Sequence, residues 1–240
     1  MLRFIPNALT LFNLFCGCGA IISVLSGQFI TAWWFFFASG IADFFDGFAA
    51  RWLSVSGPLG KELDSLADMV SFGVVPGVIL YALFVLGPTG TPAPVLDGTI
   101  VWTALPVFLV SVFSGLRLAK FNLDERQTED FIGLATPSST LFVVGMMLIY
   151  QFDSFGWRSL VANPYVIYAV AIVLSGLLVS EIYMFSLKFK GGSDPRNTIR
   201  YIFAAIAALL FIFLREAAFT PLILIYIILN LLFFKKVTAS

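Results

Sequence analysis

Four aspartates set in very apolar surroundings are the residues whose types and spacing can do chemistry here. Asp43 and Asp46 lie three residues apart in one apolar run, and Asp64 and Asp68 lie four apart in the next. At helical pitch each pair shares a face, about one turn apart. Between them, Ser54-Val55-Ser56-Gly57-Pro58-Leu59-Gly60 is rich in turn formers and returns the chain antiparallel to itself. With the tip at Ser56, Asp46 is ten residues back and Asp64 eight forward, while Asp43 is thirteen back and Asp68 twelve forward, so the pairs match in depth. Carboxylates facing one another at low dielectric repel strongly unless they are protonated or bridged by cations. The chain has no histidine, and an all-oxygen ligand set favours magnesium or manganese, with calcium as a further candidate, over zinc. Two such ions about 4 Å apart can clamp phosphoryl oxygens during an in-line displacement. On spacing alone two other readings stand: a capped, solvated hairpin in which the acids pair with Arg51 and Lys61, and a cation pathway.

The elements that must hold these groups are membrane helices. Of the 240 residues 60% are hydrophobic, with 27 phenylalanines, and the mean hydropathy is +0.97, far above what a soluble core of this length needs. Apolar runs predict eight spans near 8–27, 31–52, 62–87, 98–122, 134–151, 164–186, 198–214 and 219–235, separated by Gly, Pro and Asn punctuation. The expected fold is therefore an all-α polytopic bundle of about eight transmembrane helices forming one domain over 1–240. A six-helix catalytic core over 1–186 would enclose the active site, and two additional helices over 198–235 would be structural. The run after Arg3 is interrupted by Asn7, Thr10 and Asn13 and has no A-x-A-like site, so it reads as the first helix rather than a signal peptide. Cys16 and Cys18 sit beside glycines within that run and suggest helix packing, not a disulfide framework. Zero net charge carries no electrostatic footprint for nucleic acid, and no such partner is expected.

With the N-terminus inside, Arg158 and Arg215 fall in outer connections and the other twelve Lys and Arg residues fall inside: Arg3, Arg51, Lys61, Arg117, Lys120, Arg126, Lys188, Lys190, Arg196, Arg200, Lys235 and Lys236. The positive-inside rule then predicts cytoplasmic termini and a cytoplasmic active site. Trp33 and Trp34 would lie at the outer start of the second helix, where belt aromatics are common.

The stretch Asp43-x2-Asp46-Gly47-x2-Ala50-Arg51-x8-Gly60-x3-Asp64-x3-Asp68 resembles the complete signature of the CDP-alcohol phosphotransferase family. That resemblance implies that Asp43, Asp46, Asp64 and Asp68 hold two divalent ions and that Asp68 is also the general base. It further implies that Gly47, Ala50 and Gly60 let a cytidine nucleotide approach closely and that Arg51, with Lys61, meets the diphosphate. The smallness of these residues has a use of its own, since a bare backbone admits a ligand that a side chain would exclude. The family resemblance also implies a homodimer.

Further segments are similar to the phosphatidylserine-forming branch of that family: Pro6-Asn7-Ala8-Leu9-Thr10-Leu11-Phe12-Asn13, Ser65 to Pro76, Leu116 to Asn122, Phe131 to Ser139, and Ser186 to Lys190. They imply CDP-diacylglycerol as donor, with Asn7 and Thr10 on the CDP side, and L-serine as acceptor within a lipid membrane. Serine brings a carboxylate, an ammonium and a hydroxyl. Arg117 and Lys120, three apart on one face with Asn122 just beyond, are the expected carboxylate ligands, joined by Ser138 and Ser139; their other reading is snorkelling to headgroups. Glu181 is a candidate for the ammonium or for a structural pair with Lys188 or Arg200. Two alternatives remain at this level: another acceptor alcohol such as inositol phosphate or glycerol phosphate, and a cation transporter using the same aspartates.

The charge asymmetry makes a direct prediction. On a background with Cys16 and Cys18 replaced by serine, Ser154→Cys and Ser240→Cys should react with an impermeant thiol reagent from opposite sides of the membrane; reaction of both from one side overturns the topology.

Overall fold

Long apolar runs leave the backbone no partner but itself, so nearly everything here is helical. The computed structural model describes residues 4–55, 57–96, 98–124, 131–184 and 196–234. The hairpin tip Ser56, the basic residues Arg3, Arg126, Lys188, Lys190, Lys235 and Lys236, the 186–190 segment and Ser240 lie outside them, as does the side chain of Arg196. In chain order the elements are α1 Phe4–Leu25, α2 Phe29–Trp52 and α3 Pro58–Asp68, a π turn Met69–Val74, then α4 Val75–Leu86. A 3-10 turn Trp102–Phe108 leads into α5 Leu109–Leu123, followed by β1 Phe131–Ile132, α6 Thr136–Phe152 and the short α7 Arg158–Val161. The chain continues through α8 Pro164–Val179, β2 Tyr183–Met184, α9 Arg196–Leu214 and α10 Phe219–Leu229, which runs into a π turn Asn230–Phe234.

Local signals account for the starts. Pro58, Pro137 and Pro164 occupy first-turn positions of α3, α6 and α8, where a missing N–H costs nothing. Asn163 caps α8, its Oδ1 accepting from the Tyr165 N–H at 2.9 Å. Among the described residues four segments are long and apolar enough to cross a membrane: Phe4–Leu25, Pro58–Leu86, Trp102–Leu123 and Asn197–Leu232. Outward-facing Phe44, Trp52, Ile172, Ile212 and Phe213 are each more than half exposed, a surface suited to lipid rather than water. The protein is thus a helical integral membrane protein.

α4 is the central rod, buried continuously from Val75 to Leu83. α1 lies along α2 and α3, and it can do so closely because Gly17 faces Ser71: a Cβ at Gly17 would stand 2.3 Å from Ser71 Oγ and 3.1 Å from its Cα. Ser71 Oγ donates to the Asn13 carbonyl at 3.2 Å across the same contact. α10 is tied to α6 in the same manner, with Gly145 under Thr220 and Thr220 Oγ1 donating to the Phe142 carbonyl at 3.0 Å. Of the paired cysteines only Cys16 is buried; Cys18 is exposed, and both are free thiols, so the packing role falls to Cys16. Trp33 packs on Phe219 with centroids 5.0 Å apart, whereas Trp34 is largely exposed.

Three expectations about element boundaries are corrected. The helix over 62–87 begins at Pro58 and is interrupted by the π turn directly after Asp68, whose Phe72 carbonyl accepts from Thr140 Oγ1 of α6 at 2.6 Å. Residues 98–101 are not helical, and the fourth rod starts with the 3-10 turn at Trp102, before Pro106 can disrupt a regular α ladder. The helix over 164–186 stops at Val179, because Ser180 turns extended and the chain pairs instead: Phe131 faces Met184 and Ile132 faces Tyr183 in an antiparallel ladder. Gly133 at φ +75 supports that junction, donating its N–H to the Ile182 carbonyl at 2.9 Å.

Gly17→Val should force α1 away from the π turn. Overpacking of this kind costs about 1–3 kcal/mol, and a fall in Tm of roughly 2–10 °C is expected in detergent, by the usual scaling for a chain of this size. An unchanged Tm would show that the α1 contact adapts freely.

Candidate active site

Asp43, Asp64 and Asp68 converge where α2 and α3 run antiparallel, each offering a carboxylate oxygen within 4.8 Å of the others. The carboxyls of Asp43 and Asp68 are in hydrogen-bond contact, and two such groups must share a proton or a cation. Asp68 Oδ1 is buried with no hydrogen-bond partner among the described residues, a costly arrangement for an acceptor that has no cation to face.

Asp46 stands apart from this trio. It is 5% exposed and accepts at Oδ2 from Thr10 Oγ1 at 2.7 Å, with Asp64 within electrostatic reach. Its position is therefore held by α1. The donor set is carboxylate only, at a spacing suited to oxygen-liganded divalent ions, so the residues fit magnesium or manganese.

Beside the aspartates is a cleft of about 330 Å³ lined by Pro6, Asn7, Thr10, Asp46, Gly47, Ala50, Val55, Gly57, Gly60, Lys61 and Asp64. The two helix glycines open it. A Cβ at Gly60 would lie 3.4 Å from Asn7 Oδ1, and one at Gly47 would lie 3.4 Å from the guanidinium of Arg51, which folds back over that turn. Lys61 Nζ donates to the Asn122 carbonyl at 2.9 Å, and Asn122 Nδ2 donates to Ser65 Oγ at 2.8 Å. These bonds pin the end of α5 to α3. Asn122 thus bridges the two helices, and it is not among the residues that line the pocket on the other side of α5.

A second pocket, of about 340 Å³, opens on the other side of α5, lined by Arg117, Lys120, Phe121, Leu123, Asp124, Ile132, Leu178, Val179, Ser180 and Glu181. Arg117 is 7% exposed. Its Nη1 donates to Thr136 Oγ1 at 3.4 Å, its guanidinium lies 5.6 Å from the centre of the Phe121 ring, and its Nε has no hydrogen-bond partner among the described residues. Arg117 is also within electrostatic reach of Asp68, so this pocket and the carboxylate cluster share one end of the bundle. Ser139 is fully buried with its Oγ unpartnered, near the start of α6, and Ser138 is half-buried there; neither lines this pocket.

Sequence reasoning singled out Glu181 but missed the wall that Leu178, Val179 and Ser180 form beside it. It exists because α8 ends early, and the signal was faint: Ser180-Glu181 closing an apolar run.

Taken together, fold and site define a membrane-embedded helical protein with a carboxylate cluster fit for divalent cations at one end of the bundle. The CDP-alcohol phosphatidyltransferase family model matches residues 3–177, and the chain belongs to that family of phosphotransferases. A CDP-diacylglycerol–serine O-phosphatidyltransferase of Bacillus subtilis is 33% identical over 183 residues, covering 75% of this chain and 89% of that protein. A protein of the same name from Helicobacter pylori is 29% identical over 234 residues, 95% of this chain and 91% of its own. Another, from Methanocaldococcus jannaschii, is 28% identical over 201 residues, 83% and 79% of the two chains.

The geometry predicts metal dependence before any turnover is measured. Purified protein should bind Mn2+, followed by its paramagnetic resonance signal, and Asp43→Asn, Asp64→Asn or Asp68→Asn should weaken that binding at least tenfold, each removing one charged ligand from the cluster. Wild-type affinity in all three variants would mean the ions are held elsewhere.

Proposed function

We propose that this enzyme transfers the phosphatidyl group of CDP-diacylglycerol to the hydroxyl of L-serine, giving phosphatidylserine and CMP. The observation that carries this reading is the juxtaposition of three groups of residues. A glycine-opened cleft beside Asp46 and Asp64 is shaped for a nucleotide, the trio Asp43, Asp64 and Asp68 is suited to divalent cations, and the pocket with Arg117 and Lys120 is suited to a small carboxylate. The names of the relatives point to the same donor and acceptor.

Asp43, Asp46, Asp64 and Asp68 would hold two magnesium or manganese ions. Ions bound there neutralise charge that builds on the phosphoryl oxygens. Asn7, Thr10, Gly47, Ala50 and Gly60 line the CDP side, with Arg51 and Lys61 as the cations nearest the diphosphate. Thr10 holds Asp46 in place through its hydroxyl. The serine carboxylate is bound by Arg117 and Lys120, which orients the hydroxyl toward the β-phosphorus. Asp68 accepts the hydroxyl proton, the new O–P bond forms as the bond to CMP breaks, and CMP leaves through the cleft. Ser138 and Ser139 do not line that pocket and would act on the acceptor side only from behind it, at the start of α6 next to Thr136, the hydrogen-bond partner of Arg117, and Asn122 positions α5 against α3.

The wider assignment is a single domain over 1–240 with both termini and the active site cytoplasmic. Its eight spans include a catalytic core of six, and the last two support it through the Gly145–Thr220 contact. All residues of both pockets fall within residues 1–186, which favours that division. A homodimer follows from family resemblance.

The rival acceptors inositol phosphate and glycerol phosphate carry a phosphate, which calls for more than the two cations that line the second pocket. A transporter would need acids along a path across the membrane, whereas these gather at one end.

The test is CMP release from CDP-diacylglycerol with Mn2+ and a panel of acceptor alcohols. Serine should be turned over best, and Asp68→Asn should reduce the rate at least about a thousandfold, the loss of several kcal/mol of transition-state stabilisation. Arg117→Ala should raise the serine KM about ten- to a hundredfold, the loss of one charge-assisted hydrogen bond, with donor affinity little changed. Preference for a phosphate-bearing acceptor, or a wild-type KM in Arg117→Ala, overturns the assignment.

A further inference from the structure

The pocket beside α5 holds charges of both signs, and the acidic ones have no place in a site built only for a carboxylate. Arg117 and Lys120 come from α5; Asp124 follows that helix, and Glu181 comes from the extended segment after α8. Asp124 already has an interaction within the protein. Glu181 is exposed to the pocket and has no partner among the described residues. Arg117, which lines the same pocket, is 7% exposed, and its Nε has no hydrogen-bond partner among the described residues. The pocket therefore offers a guanidinium N–H and an exposed carboxylate from two different elements, the complement of a zwitterion.

Resting on the reading of serine as acceptor, we infer that Glu181 binds the acceptor's α-ammonium and is the residue that selects an amino-acid alcohol over acceptors lacking that group. Its placement depends on an element no helix would supply. The β1–β2 ladder and the Gly133 N–H to Ile182 carbonyl bond hold the chain extended just beyond Val179, which turns residue 181 toward α5 instead of continuing a helical face. The same carboxylate repels a phosphate-bearing acceptor, so one group both attracts the correct substrate and rejects the wrong one.

The experiment compares L-serine with 3-hydroxypropanoate, which keeps the hydroxyl and carboxylate and lacks the ammonium, in wild-type protein and in Glu181→Gln. Wild type should prefer serine by about ten- to a hundredfold in kcat/KM, the usual value of a charge-assisted hydrogen bond. Glu181→Gln should lose most of that preference through a raised serine KM, with kcat for 3-hydroxypropanoate and the affinity for CDP-diacylglycerol unchanged. Glu181→Asp should recover part of it. If Glu181→Gln keeps the wild-type ratio, or loses both acceptors in equal proportion with a lowered Tm, Glu181 is a structural residue and the inference fails. Wild-type protein that releases CMP with a phosphate-bearing acceptor and not with serine overturns the serine reading itself, a result visible without any variant.

Discussion

Mutual repulsion among carboxylates in a poorly solvated place is the constraint on which the rest of this structure depends. Asp43, Asp64 and Asp68 bring oxygens within 4.8 Å of one another, and at low dielectric such a group is tolerable only with positive charge among its members. Rigid support is needed to keep it that close. Two antiparallel helices joined by a short turn supply that support, and α1 braces them through the Thr10–Asp46 bond and the Gly17–Ser71 approach. The π turn that begins directly after Asp68 belongs to the same economy of space: it lets α3 carry the aspartates on one phase and α4 enter the core on another, since the wider turn shifts the helical register.

Around this cluster the two pockets differ in chemistry. One has glycines in its lining, at Gly47, Gly57 and Gly60, so backbone is open to an approaching group. The other is lined by the charged side chains of Arg117, Lys120, Asp124 and Glu181. α5 links them physically, because Lys61 and Asn122 hold its end against α3 while Arg117 reaches toward Asp68 from the next turn inward. A shift of α5 would disturb both binding regions together. This gives Asn122 a positioning role through its bonds to Lys61 and Ser65.

The aspartate hairpin and the helical class were legible from the chain because both rest on local rules. Apolar runs bounded by Gly, Pro and Asn mark helices, and spacings of three and four mark one face. The resemblance of Asp43 to Asp68 to a known signature, with that of the Pro6 to Asn13 segment, named further residues, of which Asn7, Thr10, Gly47, Ala50, Gly60 and Lys61 line one cleft and Arg51 does not. Less was legible where distant segments meet. That Asp46 leans on Thr10 depends on how α1 crosses α2 thirty-six residues away, and Asn122 pairing with Ser65 depends on α5 meeting α3.

The sequence by itself thus determined the helices, their apolar character, the depth-matched carboxylates and the cations available to the site, since period, composition and turn chemistry act over a few residues. Only the tertiary structure decided which three aspartates crowd together while the fourth is bonded to Thr10, where α8 ends, and that Glu181 and Arg117 line one pocket. Those outcomes follow from side chains competing for the same space and from a two-residue ladder between segments about fifty residues apart, contacts whose energies appear only when the chain has closed on itself.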